Sequence, residues 1–350
     1  MDSVTQATLG AAVAHLCWHK QLGRKALLWG AALGTLPDLD VLAYPFLDGI
    51  QRLYWHRGES HSIWFVVVGS LLIGWLIRQG RIKHTLSISR AMAGVLLIFA
   101  THIAIDYFTV YGTQLLAPLS RYGFAHANLF IIDPLYTIPL LAGVLIAATA
   151  KGNTGWRANA AGIAVSSLYV LFSLTSHAYA DHVFKEQLRA KNIAVIESIT
   201  GATPINTLLW RHIARTQEGL LIGYFSIIAD RPEDEIRFDF VPRNEHLIAP
   251  YRGQPNINVI EWFSKGFWVA EKKDNVLTLS DLRFGEFRTN ENDAPDTWQY
   301  IFVWEIPDDP DTLLQRSRAI KDGRATIQAP VAAASDSGYL IEFHRFDNPS

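Results

Sequence analysis

Six apolar stretches occupy most of the first 180 residues, at about 3–19, 26–43, 63–77, 91–111, 129–150 and 158–180. At 1.5 Å per helical residue, about 20 residues cross a hydrocarbon core of about 30 Å, so the last three are long enough and the third is short. Residues 3–19, rich in Ala and carrying His15, also suit a buried helix of a soluble protein. The basic residues favour the membrane. Lys20, Arg24 and Lys25 lie between the first two stretches, Arg78, Arg81, Lys83 and Arg90 between the third and fourth, and Lys151 and Arg157 between the fifth and sixth. The alternate connections hold only Arg52, Arg57 and Arg121. Such alternation predicts six crossings with the N-terminus outside. The start of the chain, with Asp2 where a signal peptide carries Lys or Arg, reads as mature sequence.

Beyond about residue 180 charges, Asn and Pro recur every few residues, and the apolar runs shorten to "IRFDFV", "INVIEWF", "FWVAEK", "VLTLSDLRFGEF" and "WQYIFVWEI". Runs rich in β-branched and aromatic residues between Gly, Pro, Asn and Asp read as strands. The expected architecture is therefore an α-helical membrane bundle over residues 1–180 and a smaller, mostly-β extracytoplasmic domain over 181–350. Segment 182–197 has helical spacing and connects them.

A formal net charge of -2 argues against a nucleic-acid binder, which needs concentrated Lys and Arg. The single cysteine, Cys17, allows neither an internal disulfide framework nor a Cys-rich zinc site, and its apolar setting suits packing.

Ionisable side chains in membrane segments are costly and normally face the bundle interior or a wet cavity. Here they are Asp38 and Asp40 in "GTLPDLDVLAYP", His56, Arg57, Glu59 and His61 in "HRGESHS", His102 and Asp106 in "ATHIAIDYFTVYG", and Asp133 in "FIIDPLYTIP". A spacing of four puts His102 and Asp106 on one helix face, as two metal ligands or as a buried hydrogen-bonded pair. Extended backbone around Pro37 would turn Asp38 and Asp40 to the same side; a cap with a solvated neighbour is the other reading. "HRGESHS" reads as a loop that turns His56 and His61 toward one point, with Ser60 or Ser62 capping the next helix.

The topology drawn from Lys and Arg brings all these residues to the outer side. His and Asp without thiolate suit zinc, or manganese, and more than four candidate ligands point to two or more ions. Hydrolysis is the natural chemistry of such a site. Arg57 would contact a phosphate or carboxylate oxygen, and Glu59 would serve as general base or support a ligand, a solvated loop carboxylate being the other reading. The expected substrate is an ester or phosphoester, or a lipid presented at the membrane. Two other readings use the same residues: a metal-ion transporter, and a scaffold with a structural metal.

The segments "MDSVTQATLGAAV", "LGTLPDLDVL", "HRGESHS", "THIAIDYFTVYGTQLLAPLS" and "IIDPLYTIPLL" together resemble the YdjM-like family of inner-membrane proteins described as metal-dependent hydrolases. The resemblance covers residues 1–180 and implies a multi-pass protein of the bacterial inner membrane. The pattern is also distantly similar to the zinc-dependent phospholipase C and single-strand nuclease superfamily. That similarity implies zinc ligands at Asp40, His61, His102 and Asp106. The family usually has Thr-His where this chain has Thr5-Gln6. "LRFGEF" looks like a segment of longer members. His212, His246 and His344 read as structural or exposed; His15, His19, His84 and His177 lack motif company, and His126 is a reserve ligand.

Overall fold

The computed structural model describes residues 1–79, 85–150, 153–273, 276–288 and 293–306. The expectations on Arg81, Lys83, His84, Lys151 and His344 lie outside the described residues. The helical region consists of α1 (Ser3–Leu22), α2 (Lys25–Gly34), a 3-10 segment (Pro37–Phe46), α3 (Gly49–Trp55), a 3-10 turn (Glu59–His61), a π-helical turn (Phe65–Gly69) running into α4 (Ser70–Gln79), α5 (Ile88–Tyr107), α6 (Pro134–Thr149) and α7 (Asn153–Ala190). Among the described residues α5 and α7 are long and apolar enough to cross a membrane, and up to four spans result if each of two bent helix pairs counts as one. The other expected spans take different forms for local reasons. The second is interrupted at Pro37 and bends by 46°. The third is joined to α3 through the "HRGESHS" turn with a bend of 54°.

The bundle's outer face is apolar. Leu28, Leu71, Ile138, Leu145, Leu168 and Leu171 are each more than half exposed, an amount of apolar surface suited to lipid. Its interior holds small residues and polar groups that bond across helices: Asn159 Nδ2 donates to Ala12 O at 2.9 Å and Ser166 Oγ to Tyr136 O at 2.7 Å. At the α1–α2 crossing a Cβ on Gly30 would collide with the Gly10 carbonyl oxygen, and one on Gly34 would meet Gln6 O at 2.7 Å. Only glycine permits that approach.

The basic connections share one end of the bundle. Arg24 donates to Thr149 O and Ala150 O at 2.8 and 2.6 Å, and Trp18 Nε1 to Arg90 O at 3.0 Å. The opposite end carries the start of α1, the end of α2, the "HRGESHS" turn, the end of α5 and the start of α6. There Asp2 N donates to Ile131 O at 3.2 Å, and Thr5 Oγ1 lies 2.7 Å from Thr137 Oγ1.

With 38 residues, α7 is about 57 Å long and outruns a hydrocarbon core. Its last turns are the connector expected at 182–197; Phe184, buried against Trp210 and Phe225, anchors the β region. That region opens with an antiparallel sheet in the order β1 (Glu197–Ala202), β2 (Leu209–Arg215), β3 (Gly219–Ser226), β4 (Phe238–Pro242). After two helices, α8 (Glu245–Ile248) and α9 (Pro255–Ser264), come β5 (Trp268–Lys273), β6 (Val276–Asp281), β7 (Glu286–Phe287), β8 (Gln299–Tyr300) and β9 (Val303–Ile306). Strands β5, β6 and β9 form a second sheet, and β7 pairs with β8. "INVIEWF", expected as a strand, is α9. Pro255 opens it, and Ile257, Ile260 and Phe263 bury one face at a spacing of three.

Two measurements test this packing. Gly30→Val should destabilise the bundle by about 1–3 kcal/mol, the usual cost of overpacking, and lower the melting temperature in detergent. Gly49→Ala, with open space around the added methyl, should leave it unchanged. His212 on β2 is buried with Nδ1 2.7 Å from Thr200 Oγ1, and burial pushes its imidazole down to about 4. The unfolded imidazole titrates near 6.5 and binds a proton that the folded one refuses, so its contribution to stability is full above about pH 6.5 and falls toward pH 4. The loss should reach about 2 kcal/mol at about pH 5 and be flattened in His212→Gln, read by melting temperature against pH.

Candidate metal centre

Local backbone geometry sorts the candidate ligands. The segment after Thr35 winds as 3-10 helix from Pro37, not as the extended chain expected, so Asp38 and Asp40 diverge instead of sharing a side. Asp38 reaches the Nε2 side of His61 and His102, and Asp40 reaches the backbone of the "HRGESHS" turn and the Nδ1 side of His61. In that turn Arg57 has φ +54°, a left-handed conformation uncommon for a residue with a Cβ. The backbone N–H of Arg57 donates to Asp40 Oδ2 at 2.9 Å, which holds the turn. The turn ends on His61, and Ser62 Oγ accepts from Phe65 N at 3.1 Å at the start of the next helical segment. On α5, His102 and Asp106 occupy one face at the expected spacing of four.

Four side chains converge: Asp38, His61, His102 and Asp106 offer one donor atom each, all within 4.8 Å of one another. His61 Nε2 lies 3.3 Å from Asp38 Oδ1, 3.2 Å from Asp106 Oδ2 and 3.3 Å from His102 Nε2. His102 Nε2 lies 3.4 Å from both carboxylate oxygens. Five of the six edges of a tetrahedron are thus nearly equal. The sixth, between the two carboxylate oxygens, is within 4.8 Å, so one point lies about 2.0–2.4 Å from every donor, close to the range of zinc–nitrogen and zinc–oxygen bonds. His61, His102 and Asp106 are buried, and the side chain of Asp38 is 19% exposed.

The outer partners fix which atoms face inward. His102 Nδ1 is 2.7 Å from Gly34 O, which can only accept, so Nδ1 carries the proton and Nε2 presents a lone pair. Ser60 Oγ donates to Asp40 Oδ2 at 3.4 Å and lies 2.9 Å from His61 Nδ1, whose N–H it can accept. This again leaves Nε2 for the centre. Asp106 Oδ1 accepts from Arg57 Nη2 at 3.0 Å, from Gln6 Nε2 at 3.0 Å and from the Met1 amine. Its Oδ2, buried and aimed at the cluster, has no hydrogen-bond donor. With neutral imidazoles, two lone pairs and two carboxylate oxygens at such separations repel unless a metal ion or added protons lie among them. The residues fit one metal ion. Outer-shell partners of this kind are the usual orienters of metal-ligating imidazoles.

The remaining candidates lie elsewhere. Asp40, the ligand that the superfamily similarity implied, accepts from Arg57 N and lies 3.2 Å from His56 Nδ1, so it and His56 form an outer layer. Asp133 caps α6, accepting from Leu135 N and Tyr136 N at 3.1 and 3.3 Å and from Tyr169 at 2.9 Å. Among the described residues, Asp40, His56 and Asp133 thus make their bonds outside the point that the four donors share. Arg57, buried, spends its guanidinium on Asp106 and on Thr109 Oγ1 at 2.9 Å. Glu59 is paired with Arg121 at the surface. His126 stacks on Tyr107 with ring centroids 6.1 Å apart and lies tilted against His177 at 4.5 Å, outside the cluster. Ser60 and the Gly34 carbonyl carry no chemical signature in the sequence; only the fold brings them to the imidazoles.

Elemental analysis of purified chain should therefore find one divalent ion. Asp106→Asn and His102→Ala should lower its occupancy by roughly tenfold or more, and Glu59→Gln should leave it unchanged.

No curated protein and no solved structure is significantly similar to the chain. Residues 1–180, just over half of the chain and all of the segment that supplies the donors, match the family model described as YdjM inner membrane protein, and the chain belongs to that family.

Proposed function

We propose that the protein is a membrane-embedded hydrolase, dependent on a divalent metal, that cleaves an ester or phosphoester bond. One observation carries the reading: two imidazoles and two carboxylates converge with their donor atoms bare, at a bundle end with a partly open side. Three of the four ligands are locked by outer hydrogen bonds. Asp38 makes none outside the cluster among the described residues and is the exposed member, so it is the ligand able to move aside for substrate. A donor set of His and Asp without sulfur favours zinc, with manganese second.

Bound there, a divalent ion supplies Lewis-acid polarisation of a substrate oxygen and a nucleophile from water at neutral pH. His61, His102 and Asp106 hold the ion's position. Arg57 offsets the charge of Asp106 and fixes its unused oxygen, which makes it a positioning residue. His56, partly exposed with Nδ1 toward Asp40 and its ring centroid 6.2 Å from that of His61, is suited to move a proton to or from the reacting bond. The clustering of basic residues at the far end of the bundle supports an outward-facing site, with the β region on the same outer side.

Detergent-purified chain should hydrolyse at least one member of a phospholipid and generic phosphoester panel. His56→Gln should lose about 10²–10⁴-fold of that rate while keeping its metal, and Asp106→Asn should lose both. Equal turnover in the wild type and Asp106→Asn would reject the proposal. A second reading is favoured by the position of the ligands beside two helix breaks, where transporters place ion sites. Metal uptake into proteoliposomes without hydrolysis would establish transit instead.

A further inference from the structure

Between the helical region and the β region lies a cavity one side-chain layer from the donor cluster. Its bundle wall includes His56, Tyr111 and Gln114, and its other wall is Trp262, Phe263 and Lys265. The two walls are joined directly. Trp262 Nε1 donates to Arg121 O at 3.0 Å, and its ring stands 5.5 Å from that of Tyr54. The link to the metal centre is also direct. The His56 ring centroid is 5.1 Å from Tyr111 and 6.2 Å from His61, and the Arg57 guanidinium lies 5.2 Å from the Tyr111 ring centre.

Lys265 is the unusual member. It closes α9 with φ +52°, a conformation costly for a side-chain-bearing residue, and that turn brings its ammonium 4.7 Å from the Tyr122 ring centre. Among the described residues no carboxylate lies within ion-pair distance of it. Burial, with the charge of Arg283 added, pushes the ammonium down to about 8. Glu197 and Asp281 act on it only from beyond contact, and a partly buried cation with no carboxylate in contact gains from an anionic ligand. We propose that this cavity is a binding subsite for a phosphate group of the substrate, with Lys265 as its charge and Tyr111, Trp262 and Phe263 as its walls. The proposal deepens the hydrolase reading by naming the substrate class, and it gives the β region a part in recognition. The binding itself does not rest on turnover, because Lys265 touches none of the four donors.

The test is calorimetric titration of inorganic phosphate into metal-loaded, detergent-purified full chain, and of the same chain in phosphatidylcholine nanodiscs with and without phosphatidic acid. Lys265→Gln should weaken phosphate binding by roughly tenfold or more with metal content and melting temperature unchanged, and Lys265→Arg should restore it. Phosphate bound in detergent assigns a soluble phosphoester; a Lys265-dependent response confined to phosphatidic acid assigns a lipid headgroup. Binding equal in the wild type and Lys265→Gln in every arm, as phosphate held by the metal alone would give, overturns the subsite. Lys265-dependent binding without hydrolysis of any substrate keeps the subsite and rejects the hydrolase.

Discussion

Four electron-pair donors pointed at one another inside a protein are an unstable arrangement without a cation. The bonds made by their outer atoms leave a metal ion, or protons on the imidazoles, to fill that role: Gly34 O takes the Nδ1 proton of His102, the Ser60–Asp40 chain takes that of His61, and Arg57 with Gln6 occupies the other oxygen of Asp106. The outer bonds come from α1, α2, α5 and the "HRGESHS" turn. Much of the helical region is therefore committed to holding negative potential at one point, and the glycine-mediated contact of α1 with α2 belongs to the same construction, since it sets the position of the Gly34 carbonyl.

The bundle's two ends divide the chemistry. Lys and Arg side chains gather at the end where α1 turns into α2, where they cap helix carbonyls, as Arg24 does for α6. Imidazoles and carboxylates gather at the other, where helices break and short 3-10 turns re-aim single side chains. Regular helix could deliver His102 and Asp106, four apart, but could not also deliver Asp38 and His61 to the same point. The breaks at Pro37 and at the turn before Ser62 solve that, and in the turn the freed N–H of Arg57 is bonded to Asp40.

Much of this was legible in the sequence because it follows from periodicity and cost. Charged residues in apolar runs announce a buried polar site, and the spacing of His102 and Asp106 places both on one face of any helix. The change from long apolar runs to short β-branched ones marks the sheet-containing region. What was not legible depends on backbone handedness and distant contacts. The choice between Asp38 and Asp40 turns on whether the chain after Pro37 is extended or 3-10, and the sequence pattern suits both. The capping use of Asp133 is local, yet its charge reads like that of a ligand. Arg57, expected against substrate, is consumed by Asp106 because its left-handed backbone points the side chain inward. Strand propensity misread "INVIEWF", where burial at a spacing of three and an initial Pro255 give a helix. Lys265 had no signal at all, since the bundle residues that share the cavity with it lie more than a hundred positions away.

The β region sits at the donor end through α7 and through the contact of Trp262 with Arg121, so a site built by the helices acquires walls from a second part of the chain. All of this chemistry depends on a cation at the point where the four donors meet. X-ray absorption at the metal edge of the loaded protein tests that claim most directly. The account predicts a shell of about four nitrogen and oxygen atoms at about 2.0 Å, with the outer scattering of two imidazoles and no sulfur. An oxygen-only shell without imidazole scattering, or one unchanged when His61 and His102 are both replaced, would contradict it.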